Sequence, residues 1–221
     1  MTIQSVAQVT DNPRLGLGPV LPADVPAVEG WQELGASGDA YGELLTSMRA
    51  MLDHLGAARL DDATARALTL EVDALRERLA DHVVGESEQT FARRADLPAR
   101  GQTMVPPFVA HEADRDSMRG TVTFGRYFLG RNGAVHGGAI TCLFENVMGH
   151  LAGTGGRTFG RAAYTHVDFR AITPVGRELE LRAWFESEIG RKRVIRAEIR
   201  DGEVLCAEAE GLVIELREGQ I

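Results

Sequence analysis

Cysteine is nearly missing from this chain. Cys142 and Cys206 are the two it has in 221 residues, which leaves no disulfide framework and points to a reducing, cytoplasmic setting. No apolar run is long enough to span a bilayer, because the stretch around Ile140–Leu151 is broken by Glu145, Asn146 and His150. The first residues, Met1-Thr2-Ile3-Gln4-Ser5, carry neither the basic segment nor the apolar core of a secretion signal. Positive charge is in deficit too: 24 Lys and Arg against 32 Asp and Glu give a formal net charge of −8, which argues against general nucleic-acid binding. What is present is an ordinary globular balance, 25% charged and 44% hydrophobic, with length for one core and an appendage.

The chain divides into four stretches. Residues 1–38 hold Asn12-Pro13, Gly18-Pro19, Pro22 and Pro26 with little periodicity, and read as an irregular arm. Residues 39–85 read as a helical hairpin. One helix keeps Tyr41, Leu44, Leu45, Met48, Met51, Leu52 and Leu55 on an apolar face and stops at Gly56. The other is capped by Asp61 or Asp62 and carries Leu68, Val72, Leu75 and Leu79 at 4-3-4 spacing. Each apolar face must be buried, on the other helix, on the body or on a neighbouring subunit. Residues 86–118, with Pro98, Gly101 and Pro106-Pro107, read as a linker leading into a domain over 119–217.

In that domain strands are expected at Arg119–Phe128, Ala162–Ile172, Glu178–Ile189, Arg191–Arg200 and Glu203–Leu216, the last two joined by an Asp201-Gly202 hairpin turn. Between the first two lies a helix whose Ile140, Leu143, Phe144, Val147, Met148 and Leu151 make one buried stripe. One long helix followed by antiparallel strands is an α+β plan.

The block Asn132-Gly133-Ala134-Val135-His136-Gly137-Gly138 leads straight into that helix. Free backbone N–H groups at a helix start carry the positive end of the dipole and suit an oxyanion. Glu145 lies roughly 140° round from Ile140, off the apolar stripe and on the side of Thr141 and Gly149. A carboxylate and a set of helix-start donors on one rigid element are parts that acyl transfer uses.

This block, with an acidic residue nine positions after the histidine, resembles the hotdog-fold acyl-CoA thioesterases, in particular the 4-hydroxybenzoyl-CoA and phenylacetate-pathway branch. The likeness continues through Arg161–Arg170, Ile172-Thr173-Pro174, Gly190–Arg193 and Ala207–Leu212, so it covers about residues 100–217. It implies a curved antiparallel sheet wrapped round a central helix, here with an N-terminal helical extension. It also implies hydrolysis of an acyl-CoA without cofactor or metal, in a homodimer or a dimer of dimers. Gly137 would supply the oxyanion donor and Glu145 the general base or nucleophile. Related enzymes place a polar amide six residues before the histidine, where this chain has Gly130; Asn132 is the amide nearest to that place.

Other candidates rest on position. His136 either orients the thioester or pins the turn backbone. Gly138, Thr141, Thr165 and His166 are candidates for contact with substrate or water. Arg191 and Arg193, in the cluster with Lys192 and Arg196, are candidates for the nucleotide phosphates, or else counter-charges to nearby Glu residues. His136, His150 and His166 show no metal-ligand spacing, and Cys142 and Ser187 lack a nucleophile pattern. Two alternatives stand beside hydrolysis: a hotdog enoyl-thioester hydratase or dehydratase, which needs a catalytic histidine, and a non-catalytic acyl-CoA-binding module, which has no need of Glu145.

Overall fold

A computed structural model describes residues 40–94 and 96–217; the expected arm over 1–38 lies outside them. Two helices, α1 (Ala40–Ala57) and α2 (Asp62–Ala80), precede the strands β1 (Phe108–Ala113) and β2 (Ser117–Thr123). After them come the helix α3 (Gly137–Ala152) and four strands: β3 (Gly160–Phe169), β4 (Glu178–Ile189), β5 (Lys192–Asp201) and β6 (Val204–Glu215). The strands form one sheet in the order β1-β2-β4-β5-β6-β3, antiparallel throughout. This is the hotdog arrangement, α+β, with α3 lying across one face.

The core follows from two periods meeting. Ile140, Leu143, Phe144, Val147, Met148 and Leu151 of α3 are buried. They meet the inward positions of the strands: Met118 and Val122, Leu179 and Leu181, Ile195 and Ile199, Ala207 and Val213. The opposite face is a polar ladder in which Arg196 pairs with Glu210 at 2.8 Å and Arg170 pairs with Glu208 at 2.7 Å.

Three expectations need correction. The sheet begins inside the stretch read as linker, because Phe108–Ala113 is an edge strand whose alternation is hidden by a bulge between Ala110 and Glu112. The strand expected over Arg119–Phe128 stops at Thr123; Arg126–Phe128 is a 3₁₀ turn. Gly56 lies inside α1, where a side chain would begin only 3.1–3.3 Å from the backbone of Arg126 and Tyr127. It is a close-approach site, and α1 docks on the body there, with Asp53 accepting the Tyr127 N–H at 2.9 Å. Of the two possible caps for α2, Asp61 does the work, accepting from Thr64 N–H at 2.8 Å. No residue of α2 is buried.

Candidate active site at the head of the central helix

A small hairpin delivers the chain to α3. His136 N–H donates to Phe128 O at 2.8 Å, Leu129 bridges Val135, and Gly130 N–H donates to Ala134 O at 2.8 Å. At its tip Ala134 N–H closes on Arg131 O at 2.9 Å, while Asn132 and Gly133 hold φ of 52° and 76°. Two successive positive φ values make a type I′ turn, which Asn-Gly suits best. Asn132 is therefore a turn residue at an exposed tip, four residues or about 13 Å of extended chain from His136. Gly130 sits against the histidine, with its missing side chain 3.2 Å from His136 Cα.

His136 is the N-cap of α3, and its Nδ1 accepts the Gly138 N–H at 3.0 Å. That bond pins the turn backbone. It commits the Gly138 donor and leaves the ring proton of a neutral His136 on Nε2. The Ala139 and Ile140 N–H groups both reach His136 O. Gly137 N–H has no hydrogen-bond partner among the described residues, so one donor at the positive end of the helix stays open. Thr141 Oγ1 donates to Gly137 O at 3.1 Å and holds the first turn.

Glu145 is exposed and makes no hydrogen bond or ion pair among the described residues. On this outer face of α3 it stands among Gly138, Cys142 and Gly149, so no bulky neighbour screens it. Asn146 and His150 flank it towards the turn Pro98–Arg100, where with Leu97, Phe108 and Met118 they line a cavity of about 20 Å³, room for one water molecule. Burial there holds the His150 imidazole at a pKa of about 4, helped by the Arg100 charge, so this ring is neutral.

Strand β3 splits its candidates. Thr165 pairs with Gly211 and Val167 with Ala209, positions that face α3. His166 pairs with Glu210 on the opposite, polar face, where its Nε2 lies 3.5 Å from Asp168. It is therefore on the wrong side of the sheet for a site around Glu145. Phe169, which sequence reasoning passed over, lies over Gly137: a Cβ there would be 3.0 Å from its ring tip. Period-two counting from Thr165 would have placed it on that face.

The basic cluster also divides. Arg193 is 3% exposed, and its guanidinium binds Ala152 O, Thr158 O, Glu188 and Glu215 at 2.7–3.1 Å. It caps the C-terminal end of α3, about 22 Å along the helix from Gly137. It is not available to a phosphate. Arg191 lies in the β4–β5 turn rather than on a strand and donates to Glu215 O at 3.0 Å. Arg157 completes this end, bound to Glu188 and Asp116 and stacked 4.0 Å over the Phe185 ring. The Arg157 hydrogen bond, with Arg193 behind it, holds the Glu188 carboxyl below its ordinary range.

Residues 132–208 match the family model of the thioesterase superfamily. No curated protein matches the chain. Among solved structures, a protein described as a thioesterase superfamily member is 24% identical with a TM-score of 0.67, over 80% of this chain and 96% of its own. That coverage exceeds the sheet domain, so the shared fold extends into the N-terminal region. The Escherichia coli PaaI protein from the phenylacetic acid degradation operon is 18% identical with a TM-score of 0.46, over 49% of this chain and 82% of its own. A phenylacetic acid degradation-related protein from Ralstonia eutropha is 20% identical with a TM-score of 0.44, over 48% and 83%. No helix among the described residues is long and apolar enough to cross a membrane.

Proposed function

We propose that this chain, whose residues 132–208 match the thioesterase superfamily, hydrolyses an acyl-CoA thioester to a free acid and CoA. The observation that carries this reading is an open donor and an open acceptor on one helix: the Gly137 N–H and the Glu145 carboxylate, neither with a partner among the described residues. Donors fixed before reaction stabilise a tetrahedral oxyanion without reorganising, and one such donor is worth about 2.7–4 kcal/mol. In this reading the thioester oxygen sits at Gly137 N–H, with Phe169 shielding it from water. Glu145 either takes a proton from the attacking water or attacks the carbonyl carbon itself. Collapse of the adduct breaks the C–S bond and releases the CoA thiolate, which is protonated on departure; where Glu145 was the nucleophile, water then cleaves the acyl–Glu145 anhydride, releasing the acid and restoring the carboxylate.

Gly137 and Glu145 of one helix are about 12 Å apart along its axis, too far to meet at one carbonyl. Antiparallel alignment of α3 with that of a second copy would bring each donor opposite the other copy's carboxylate. Two surfaces favour it: the small-residue outer face of α3 and the uncovered edge of β3, whose Arg161–Tyr164 are all exposed. The site is then shared in a homodimer. His136 serves as a positioning residue, which weighs against the hydratase alternative.

Complementation tests this. Glu145→Gln and Gly137→Val are each expected to be inactive towards a panel of acyl-CoA thioesters assayed for free thiol. Refolded together, they should regain activity, because the mixed dimer holds one intact site. Persistent inactivity of the mixture would refute the shared site. A Glu145→Gln protein that hydrolyses normally would refute the catalytic assignment and leave the binding-module reading.

A further inference from the structure

We infer that the turn Pro98–Arg100 is the end wall of the acyl pocket and limits the substrate to acyl groups that are short and apolar at their far end. This rests on the reading of Glu145 as the group that meets the thioester, and it names the substrate class of that site.

The backbone of this turn is out of the ordinary. Ala99, Arg100 and Gly101 hold φ of 52°, 59° and 78°, three successive residues in the left-handed region that disfavours any residue with a β-carbon. Such a conformation persists only where the surroundings impose it, and it gathers at ligand clamps. Helix α1 imposes it here. Arg49 donates to the carbonyls of Pro98 and Gln102, and Tyr41 Oη donates to Gly101 O at 3.1 Å. With these carbonyls drawn to α1, Leu97 and Ala99 are left 3% and 6% exposed, lining the cavity on the flank of α3.

That cavity adjoins the candidate carboxylate. Its partly exposed rim holds Asn146, next to Glu145 in the helix, and His150, about 8 Å along the axis from Glu145. Its other walls are apolar: Leu97, Ala99, Phe108, Met118 and Val147. Arg100 borders it too, but its Nε donates to Ala92 O at 3.2 Å, back along its own loop. Burial keeps the His150 ring uncharged, so a carboxylate-ended acyl group finds no counter-charge there. A buried water makes about three hydrogen bonds, and Asn146 and His150 offer two. An apolar chain end needs none. A carbonyl held at Glu145 can send its chain round α3 past Asn146, so that the last carbon fills the cavity. A longer chain meets Leu97 and Phe108.

The test is calorimetric binding of S-alkyl-CoA thioethers of increasing length, which cannot be hydrolysed. Wild-type affinity should rise about fourfold per methylene up to a short limit and fall beyond it. Ala99→Leu fills the cavity and should lower that limit by about two carbons. Ala99→Gly eases the left-handed backbone, should fold at least as well as wild type, and should raise the limit by about one carbon. No binding at any length, an affinity that climbs unbroken to dodecyl, a limit unmoved in either variant, or a loss equal at every length would overturn the inference. Turnover of the matching thioesters judges Glu145 separately. Hydrolysis with an unmoved limit overturns the pocket alone, and a moved limit without hydrolysis overturns the catalytic reading alone.

Discussion

The two ends of α3 are built on opposite plans. At its C-terminal end every strong group is answered: Arg193 satisfies Ala152 O and two carboxylates, while Arg157 ties Glu188 and Asp116 to the loop after the helix. At its N-terminal end, among the described residues, one donor is left open, a phenylalanine ring covers it, and two turns on a carboxylate stands unpaired. Dense pairing marks a structural lock. Polar groups left without partners mark the place where a ligand is expected, because the fold gains nothing by leaving them so.

The sharpest way to break this contrast is to move the chemistry without touching the fold. Glu145→Gln keeps the volume and removes the charge of an exposed side chain. Turnover should fall by roughly 10⁴, about 5 kcal/mol in barrier, with the melting temperature unchanged. A loss of less than tenfold would put the contrast at the open end down to surface exposure. At the closed end the reverse is expected. Arg193→Met leaves Glu215 without its ion pair and Ala152 O and Thr158 O without their donor, while Glu188 keeps Arg157, and should cost about 2–3 kcal/mol of stability. The acyl-CoA KM of the protein that remains folded should not become more salt-dependent. A salt-sensitive rise in KM with unaltered stability would return Arg193 to the nucleotide phosphates.

That reversal for Arg193 shows where sequence reading stops. Helix α3 and strands β4, β5 and β6 were legible to within a residue or two, because their patterns are local: an apolar stripe at 3.6, alternation at 2, and Asp201-Gly202 at a turn. Glu145 was legible for the same reason, since helical phase places it opposite the stripe. Arg193 was not, because its partners Ala152, Thr158 and Glu215 are 22 to 41 residues away. The triplet Arg-Lys-Arg looks alike whether its charges face solvent or close a helix. β1 was hidden by its bulge, and the docking of Asp53 on the Tyr127 backbone spans 74 residues. His166 failed on register, since one residue along a strand changes its face.

A third prediction concerns the flank between the ends. His150 holds a folded pKa of about 4 against an ordinary 6.5. Between those values the unfolded chain binds a proton that the folded chain refuses. Stability is therefore full above pH 6.5 and falls as pH drops towards 4, by on the order of 3 kcal/mol. Urea melts at pH 7 and pH 5 of wild type and His150→Gln measure it. If the two proteins lose stability in parallel on acidification, the effect belongs to other groups.

The smallest effect separates turn chemistry from site chemistry at the open end. Asn132 holds a φ of 52° in the I′ turn, a conformation that glycine adopts freely and alanine does not. Asn132→Ala should therefore cost about 1 kcal/mol of stability, with Asn132→Gly nearly neutral. Hydrolysis by Asn132→Gly should stay within twofold of wild type, because the amide sits at the hairpin tip while the open donor is at Gly137. If the glycine variant is as stable as wild type yet loses turnover tenfold or more, about 1.4 kcal/mol, then the amide reaches the substrate. The open end of α3 would then extend along the hairpin to its tip, and Asn132 would join Glu145 and Gly137 in the site.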